Sequence, residues 1–246
     1  MNLDAAGKKR KIGTLRFIRR YPVKSMKGED LASAVLSESG IPGDRRFAFI
    51  DENAEKKSFP WMTARQKHEM LLFVPKYKED SVKSVVEVKT PEGEIFLVDD
   101  PAFEEFLERR FGYSLKFRHD EQGCFDSKPV SLFGLATVKA LSNEVGVNLE
   151  RERFRANLYA EWVSGNDRPF FEDSLVGRTL LLGSATMKIV KKNMRCAIPT
   201  LSPLTGEASP VVLKNIEQNH EGCVGVYGEV ASNGVIKVGD PIFLLS

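Results

Sequence analysis

Cysteine is scarce in this 246-residue chain: Cys124, Cys196 and Cys223 are widely spaced and odd in number. Such a set makes a poor disulfide framework and fits a reducing compartment. No Cys-x-x-Cys pair occurs and no histidine stands at ligand spacing from a cysteine, which argues against a structural zinc site. No apolar run approaches the roughly 20 residues that would span a bilayer. The stretch from Met1 to Lys11 is polar and basic and lacks the apolar block of a secretory signal, so the expected location is the cytoplasm, with no membrane association. Neither sign of charge dominates, since 36 basic and 34 acidic side chains leave a formal net charge of +2. No basic stripe with interleaved aromatics is present either, and no nucleic-acid partner is expected. A Walker-type phosphate loop, a serine elbow and the dinucleotide fingerprint are all missing. The basic residues come in short groups, Arg16, Arg19, Arg20 and Lys24 or Arg151, Arg153 and Arg155, which suits a small anionic ligand.

What is present is a succession of short strand-like runs punctuated by glycine and proline. Leu15–Val23, Leu31–Ser37, Arg46–Asp51, Met70–Val74, Val82–Val88 and Glu94–Val98 carry apolar, aromatic and β-branched residues, and Pro91-Glu92-Gly93 joins the last two as a hairpin. The period then changes. Asp100 caps and Pro101 opens a helix with Phe103, Phe106, Leu107 and Phe111 on one face, and Gly112 closes it. A second helix begins near Leu135, turns Val138, Leu141 and Val145 inward and stops at Gly146. Strands return at Asn157–Trp162, Thr179–Leu182, Thr186–Val190, Gly225–Glu229, Val235–Val238 and Ile242–Leu245. Many short strands without strand–helix alternation predict a mainly β (α+β) fold of barrel type with a few short helices. An irregular stretch at 119–128 divides the chain into a flexible tail at 1–11, an N-terminal β-barrel-like domain at 12–118 and a second β-barrel domain at 119–246.

Cys196 is the leading chemical candidate. It follows the strand ending Lys188-Ile189-Val190 and precedes Pro199, at a strand end where scaffolds carry reactive groups. Arg195, Lys191 and Lys192 surround it with positive charge, which favours a thiolate, the form that ligates metals or attacks. A half-buried packing cysteine is the plain alternative. Tyr21-Pro-Val-Lys24-Ser25 sets a lysine beside a hydroxyl after an edge strand, a pairing suited to a phosphate oxygen. In Gly43-Asp44-Arg45-Arg46 one arginine is expected to pair with Asp44 and the other is free for an anion. Strand alternation from Arg153 to Leu158 sets Arg153, Arg155 and Asn157 on one face and Phe154 and Leu158 on the other. Gly222, Gly225 and Gly228 mark a kinked strand that lets a ligand or backbone approach, with Tyr227 inside it. His68, His119 and His220 read as surface residues.

In this order the segments resemble the MOSC family, named for the C-terminal domain of molybdenum-cofactor sulfurases. The resemblance runs from about Ile12 to Leu245 through Tyr21-Pro-Val-Lys-Ser25, Gly43-Asp-Arg45, Pro129-Val-Ser-Leu132, Phe154-Arg-Ala-Asn157, Arg195-Cys196, Pro203-x-Thr205-Gly206, Gly225-x-Tyr227 and Ile236-Lys-Val-Gly-Asp240. It implies a molybdenum cofactor (Mo-molybdopterin) with Cys196 as the metal ligand. Lys24, Ser25 and Arg45 match the positions that take its phosphate. Asp126, Ser127, Arg155, Asn157, Arg195 and Tyr227 complete the implied cofactor site, and protons for its chemistry are expected from water or a nearby acid such as Asp173. A family-level association with pyridoxal phosphate binding comes with the same resemblance. The implied activity is an oxidoreductase that reduces small N-hydroxylated compounds, with electrons from a separate flavin, ferredoxin or haem protein. Met194 replaces a serine found before Arg-Cys in the amidoxime reducers, and Gly134 and Thr137 stand where other members often carry serines. Two other uses of the thiol follow from the same kinship: a persulfide-bearing sulfur carrier, and a module that stores or delivers the cofactor without catalysis.

Overall fold

The structure is a computed structural model that describes residues 9–55, 58–79 and 85–245. Its centre is a closed barrel. Seven strands form the ring: β1 (Lys9–Arg20), β9 (Val130–Gly134), β10 (Leu158–Trp162), β11 (Thr179–Leu182), β12 (Ala185–Met194), β13 (Cys223–Ser232) and β15 (Pro241–Leu245). They pair in the order β10-β9-β13-β12-β11-β15-β1, and β1 returns to β10. The fold class is therefore the mainly β, barrel-based class expected. β1 closes the ring by pairing with β15 through Lys9–Thr14 and with β10 through Gly13–Ile18. Closure leaves no ring strand with an unpaired edge. β9 and β10 are parallel, so their connection must cross over, and α2 (Leu135–Val145) supplies the crossover.

Period-2 alternation fills the barrel. Along β12, Ala185, Met187 and Ile189 point inward while Lys188 faces out. Ile12, Leu15, Ile18, Leu132, Leu158, Leu180, Leu182, Val226 and Ile242 join them in one core cluster.

The rest of the N-terminal half packs alongside. β2 (Glu29–Leu31) extends β1, and β3 (Ser33–Leu36) pairs with β14 (Gly234–Lys237). β4 (Phe47–Asp51) pairs with β8 (Leu115–His119), and β5 (Val74–Tyr77), β6 (Val86–Lys89) and β7 (Ile95–Leu97) form a three-stranded sheet. α1 (Pro101–Phe111) covers them. Asp100 Oδ1 accepts from Ala102 N at 2.9 Å as its N-cap, and Gly112 ends it in the left-handed region, as the sequence predicted. Phe49, Phe73, Phe103, Leu107 and Phe111 form a second, aromatic-rich core. A third core lies between α2, α3 (Val211–Asn219) and the barrel, around Phe133, Leu141, Phe154, Tyr159, Val212 and Ile216.

Several local expectations are corrected. Met70–Val74 is not a strand: His68–Leu72 is a 3-10 turn that buries both Met70 and Leu71. A short unbroken apolar run does not distinguish strand from helix by period. Residues 82–84 of the predicted strand Val82–Val88 lie outside the described residues, and β6 begins at Val86. Residues 1–8 of the predicted tail are likewise outside them, whereas Lys9–Lys11 pair with Phe243–Leu245. β1, grouped by sequence with the N-terminal domain, is thus an integral barrel strand. α3 has no counterpart in the sequence reading, although Val212 and Ile216 stand at the i, i+4 spacing of a buried helical stripe.

The kinked strand is β13. Gly225 has φ 74°, and a Cβ built there would lie 2.5 Å from the buried Phe133 ring and 3.3 Å from the Leu132 carbonyl oxygen. Gly225→Ala is expected to cost about 2–5 kcal/mol, the left-handed penalty adding to overpacking. Chemical denaturation checks this, and an unchanged midpoint would remove the bulge from the account.

Candidate functional site

One cavity of ≈ 650 Å³ collects the candidate residues. Lys24, Ser25, Arg45, Asp126, Ser127, Arg155, Asn157, Arg195, Cys196 and Tyr227 all line it. They come from the turn after β1, the loop before β4, the segment before β9, the turn before β10, the end of β12 and the middle of β13. Cys196 lies two residues past β12, half-buried and unpaired in any disulfide. Two bulges aim its neighbours. Ile189 pairs with Gly228 and Lys191 with Tyr227, so Val190 is an extra residue on β12. Lys192 pairs with Val226 and Met194 with Cys223, so Val224 and Gly225 stand opposite Asn193. Bulges of this kind re-aim side chains beside functional sites. Lys191 Nζ consequently lies 5.7 Å from the centre of the Tyr227 ring.

The cavity is strongly cationic. Lys24, Arg45, Arg65, Lys128, Arg155, Lys191, Lys192 and Arg195 line it against one carboxylate, Asp126. Five of these cations meet a carboxylate: Lys24 and Arg65 share Asp126, Arg45 meets Asp44, Lys128 meets Glu229, and Lys192 meets Asp173 and Glu221. Burial penalises the Asp126 charge, but Lys24 and Arg65 outweigh it and hold the carboxyl below its usual range. Burial also lowers the Lys24 ammonium, against the pull of Asp126. The other three, Lys191, Arg155 and Arg195, have no carboxylate partner among the described residues. Arg155 donates from Nη1 to Met26 O at 2.8 Å and Arg195 from Nη2 to Phe154 O at 2.7 Å. Arg155 Nη2 and Arg195 Nε are buried without any partner. Burial pulls the Arg155 guanidinium down to about 10 and lowers that of Arg195. Both remain cationic at neutral pH, as guanidinium groups do. The cavity thus carries an excess of positive charge over the carboxylates that meet it among the described residues.

The backbone is strained where the site is built. Of five non-glycine residues with positive φ among the described residues, three line the cavity: Ser25 at 66°, Arg45 at 52° and Arg155 at 50°. Such conformations persist where surrounding contacts hold them, and they cluster at ligand sites. The holding contacts converge on Asp44, which is 0% exposed. Its carboxylate accepts from Tyr21 N at 2.7 Å, from Asn157 Nδ2 at 3.0 Å and from Arg45. Asn157 Oδ1 accepts in turn from Ser131 N at 3.3 Å and Ser131 Oγ at 3.1 Å, and Nδ2 also donates to Arg19 O at 3.3 Å. Every hydrogen-bonding position of the Asn157 amide is thus used by the protein. It holds the wall and has nothing left for a ligand.

The predicted alternation from Arg153 to Leu158 is overturned. Arg151–Phe154 is a 3-10 turn, Arg155 is left-handed, and the strand starts only at Leu158. Phe154 stacks on Phe133 at 4.4 Å, and that tertiary contact decides the turn. Arg153 points away from the cavity to Glu150 at 2.6 Å and Thr200 O at 2.9 Å. Asp173 does not line the cavity. It stands behind Lys192, 3.3 Å from its Nζ, where burial raises its carboxyl against the pull of that lysine. His220, read as a surface residue, is partly buried against Phe170 at 4.2 Å and meets Glu144 at 2.7 Å. Sequence reasoning missed Asn193, Ser131 and Arg65. Asn193 is 5% exposed, lines the cavity, and its side-chain amide makes no hydrogen bond among the described residues. The only signal for it was its place in the Asn193-Met194-Arg195-Cys196 run.

Among the described residues no three His, Cys, Asp or Glu side chains converge to hold a metal ion. No described helix is long and apolar enough to cross a membrane.

Comparison with known proteins gives matches along the chain. The family model of the MOSC domain matches residues 114–243, and that of the MOSC N-terminal beta barrel domain matches residues 12–111. The chain is 25% identical to mitochondrial amidoxime-reducing component 1 of Homo sapiens over 292 aligned positions, which cover 95% of this chain and 83% of that protein. Among solved structures, the YUAD protein from Bacillus subtilis superposes with a TM-score of 0.49 at 13% identity over 98% of both chains. YiiM from Geobacillus stearothermophilus gives 0.38 at 20% identity over 48% of this chain and 55% of that one.

Proposed function

The chain belongs to the MOSC-domain family, and on that premise we propose that its basic cavity holds a molybdenum–pterin cofactor with Cys196 as a ligand to the metal. The carrying observation is the charge imbalance: three cations without a carboxylate share one cavity with a free, half-buried thiol. A phosphorylated pterin dithiolene supplies the missing negative charge, and its sulfurs meet the need for ligands that the protein lacks. A volume of ≈ 650 Å³ suits a ligand of that size. Lys24, Ser25 and Arg45 would hold the phosphate, while Arg155 and Arg195 would face the anionic body. Asp126 and Ser127 sit at the rim. Asp44 and Asn157 keep Arg45 and the turn before β10 in place.

When bound, the cofactor would supply two-electron removal of an oxygen atom from an N-hydroxylated compound. The protein's own contribution is orientation and charge. Arg195 and Lys191 keep the Cys196 end of the cavity positive, and the Tyr227 hydroxyl points to no protein partner among the described residues. Asp173 stands behind Lys192 and, with Glu221, holds that lysine's ammonium at the cavity wall. Electrons would come from a separate flavin, ferredoxin or haem protein.

Metal and pterin analysis of protein made in a cofactor-competent host tests the reading. Stoichiometric molybdenum with pterin, plus turnover of a model amidoxime with an artificial reductant, is expected. Bound cofactor without turnover would leave a storage or delivery module, and labile sulfur on Cys196 without molybdenum would point to a sulfur carrier. Lys24→Ala and Arg155→Ala should each weaken cofactor retention by about 10- to 100-fold, the worth of one charge-assisted hydrogen bond. Full retention in both would remove this cavity as the cofactor site.

A further inference from the structure

A second cavity, of ≈ 230 Å³, shares Arg155 with the first. Its walls are mostly apolar: the Tyr21 ring, Leu71, Pro203 and Leu204. Its charges are Arg19, Lys27 and Arg155 against Glu152. Glu152 is already engaged by Arg19 at 3.1 Å and Arg151 at 2.9 Å, and Arg19 has a second carboxylate in Asp30 at 2.9 Å. Lys27 and Arg155 have no carboxylate among the described residues. Arg155 Nη2 and Arg19 Nε are buried without a partner.

The lip of this cavity is unusual. Leu204 is 65% exposed, yet its loop is pinned rather than loose. Ser202 N donates to Glu207 O at 2.8 Å, Gly206 N to Ser202 O at 2.9 Å and Leu204 N to Ser202 Oγ at 3.2 Å. A fixed loop thus presents a bare leucine beside two uncompensated cations. Apolar cover and a negative charge are wanted at one place.

We propose that this cavity is a second ligand site, for a small carboxylic acid with an apolar body. The carboxylate sits between Lys27 and Arg155, and the body lies against Tyr21, Leu71, Pro203 and Leu204. A planar guanidinium suits a carboxylate, and mostly apolar walls offer too few donors for a phosphate. The volume falls below the range of about 300–1,000 Å³ for drug-sized ligands, so the body is one ring or a short chain. The site does not depend on the molybdenum reading. Because Arg155 lines both cavities, anions in the two sites share one guanidinium and should weaken each other by the same factor.

Benzoate is the probe and benzamide its uncharged counterpart, titrated into the full chain by calorimetry, with inorganic phosphate as the probe of the larger cavity. Benzoate should bind about tenfold or more tightly than benzamide. Lys27→Met removes the charge and Leu204→Trp fills the cavity; each should weaken benzoate about tenfold or more while phosphate binding and melting temperature stay as in the wild type. Equal affinity for benzamide, or unchanged benzoate binding in both variants, would overturn the site. So would loss of benzoate binding in Lys24→Ala with none in Leu204→Trp, which places the probe in the larger cavity. Failure on any of these counts leaves the metal analysis untouched, so the two readings fall separately.

Discussion

Exchanging Cys196 for serine should leave a folded protein that no longer retains molybdenum. The side chain is half-buried, lies in the loop beyond β12 and makes no hydrogen bond among the described residues, so the fold loses little with it. A metal already bound by soft dithiolene sulfurs favours a soft thiolate over a hard hydroxyl. Loss of an outer-shell partner typically lowers metal affinity by about 10–100-fold, and loss of a direct ligand should exceed that. Molybdenum content by mass spectrometry and pterin content by fluorescence read the outcome against a melting curve. Reduction of an amidoxime should fall to background in the same protein. Cys223→Ser is the internal control, since Cys223 lines the same cavity but lies in β13, opposite Met194. Full molybdenum in Cys196→Ser, or equal loss in both variants, would remove Cys196 from the metal.

The second large effect is on stability. Asp44→Ala removes a fully buried carboxylate that serves Tyr21 N, Asn157 Nδ2 and Arg45. Breaking a buried ion pair from one side leaves the other charge uncompensated and costs about 3–5 kcal/mol. In a chain of this size that lowers the melting temperature by about 10 °C. The double variant Asp44→Ala with Arg45→Met should recover part of the loss, because it removes the stranded charge as well. A double-mutant cycle on the cofactor-free protein measures the coupling. Additive losses would mean that Arg45 is solvated and that Asp44 holds only the backbone.

Much of this site is carried by short motifs. Tyr21-Pro-Val-Lys24-Ser25, Gly43-Asp44-Arg45, Arg155-x-Asn157 and Arg195-Cys196 were each legible, and the structure brings all of them to one cavity. Asn157 shows the limit of such reading. The motif marks its position, but only the structure shows that its amide is already saturated by Ser131, Asp44 and Arg19. Asn193 is the converse case. Nothing in its neighbours announces a free amide in the cavity, because its direction is set by a bulge in the partner strand.

The sequence alone determined what a few consecutive residues encode. The caps at Asp100 and Gly112, the alternating face of β12, and the thiol at a strand end beside an arginine are of this kind, since each depends on neighbours within a turn or a strand. Tertiary structure decided which charges are balanced. Lys24 meets Asp126 across 102 positions of chain, Asn157 meets Asp44 across 113, and β1 closes a barrel whose other strands lie far beyond it in sequence. Coulomb energy and hydrogen bonding depend on distance in space, and no local pattern fixes that distance. Cys196 could therefore be singled out from the sequence, but the arginines of its cavity that lack a carboxylate could not.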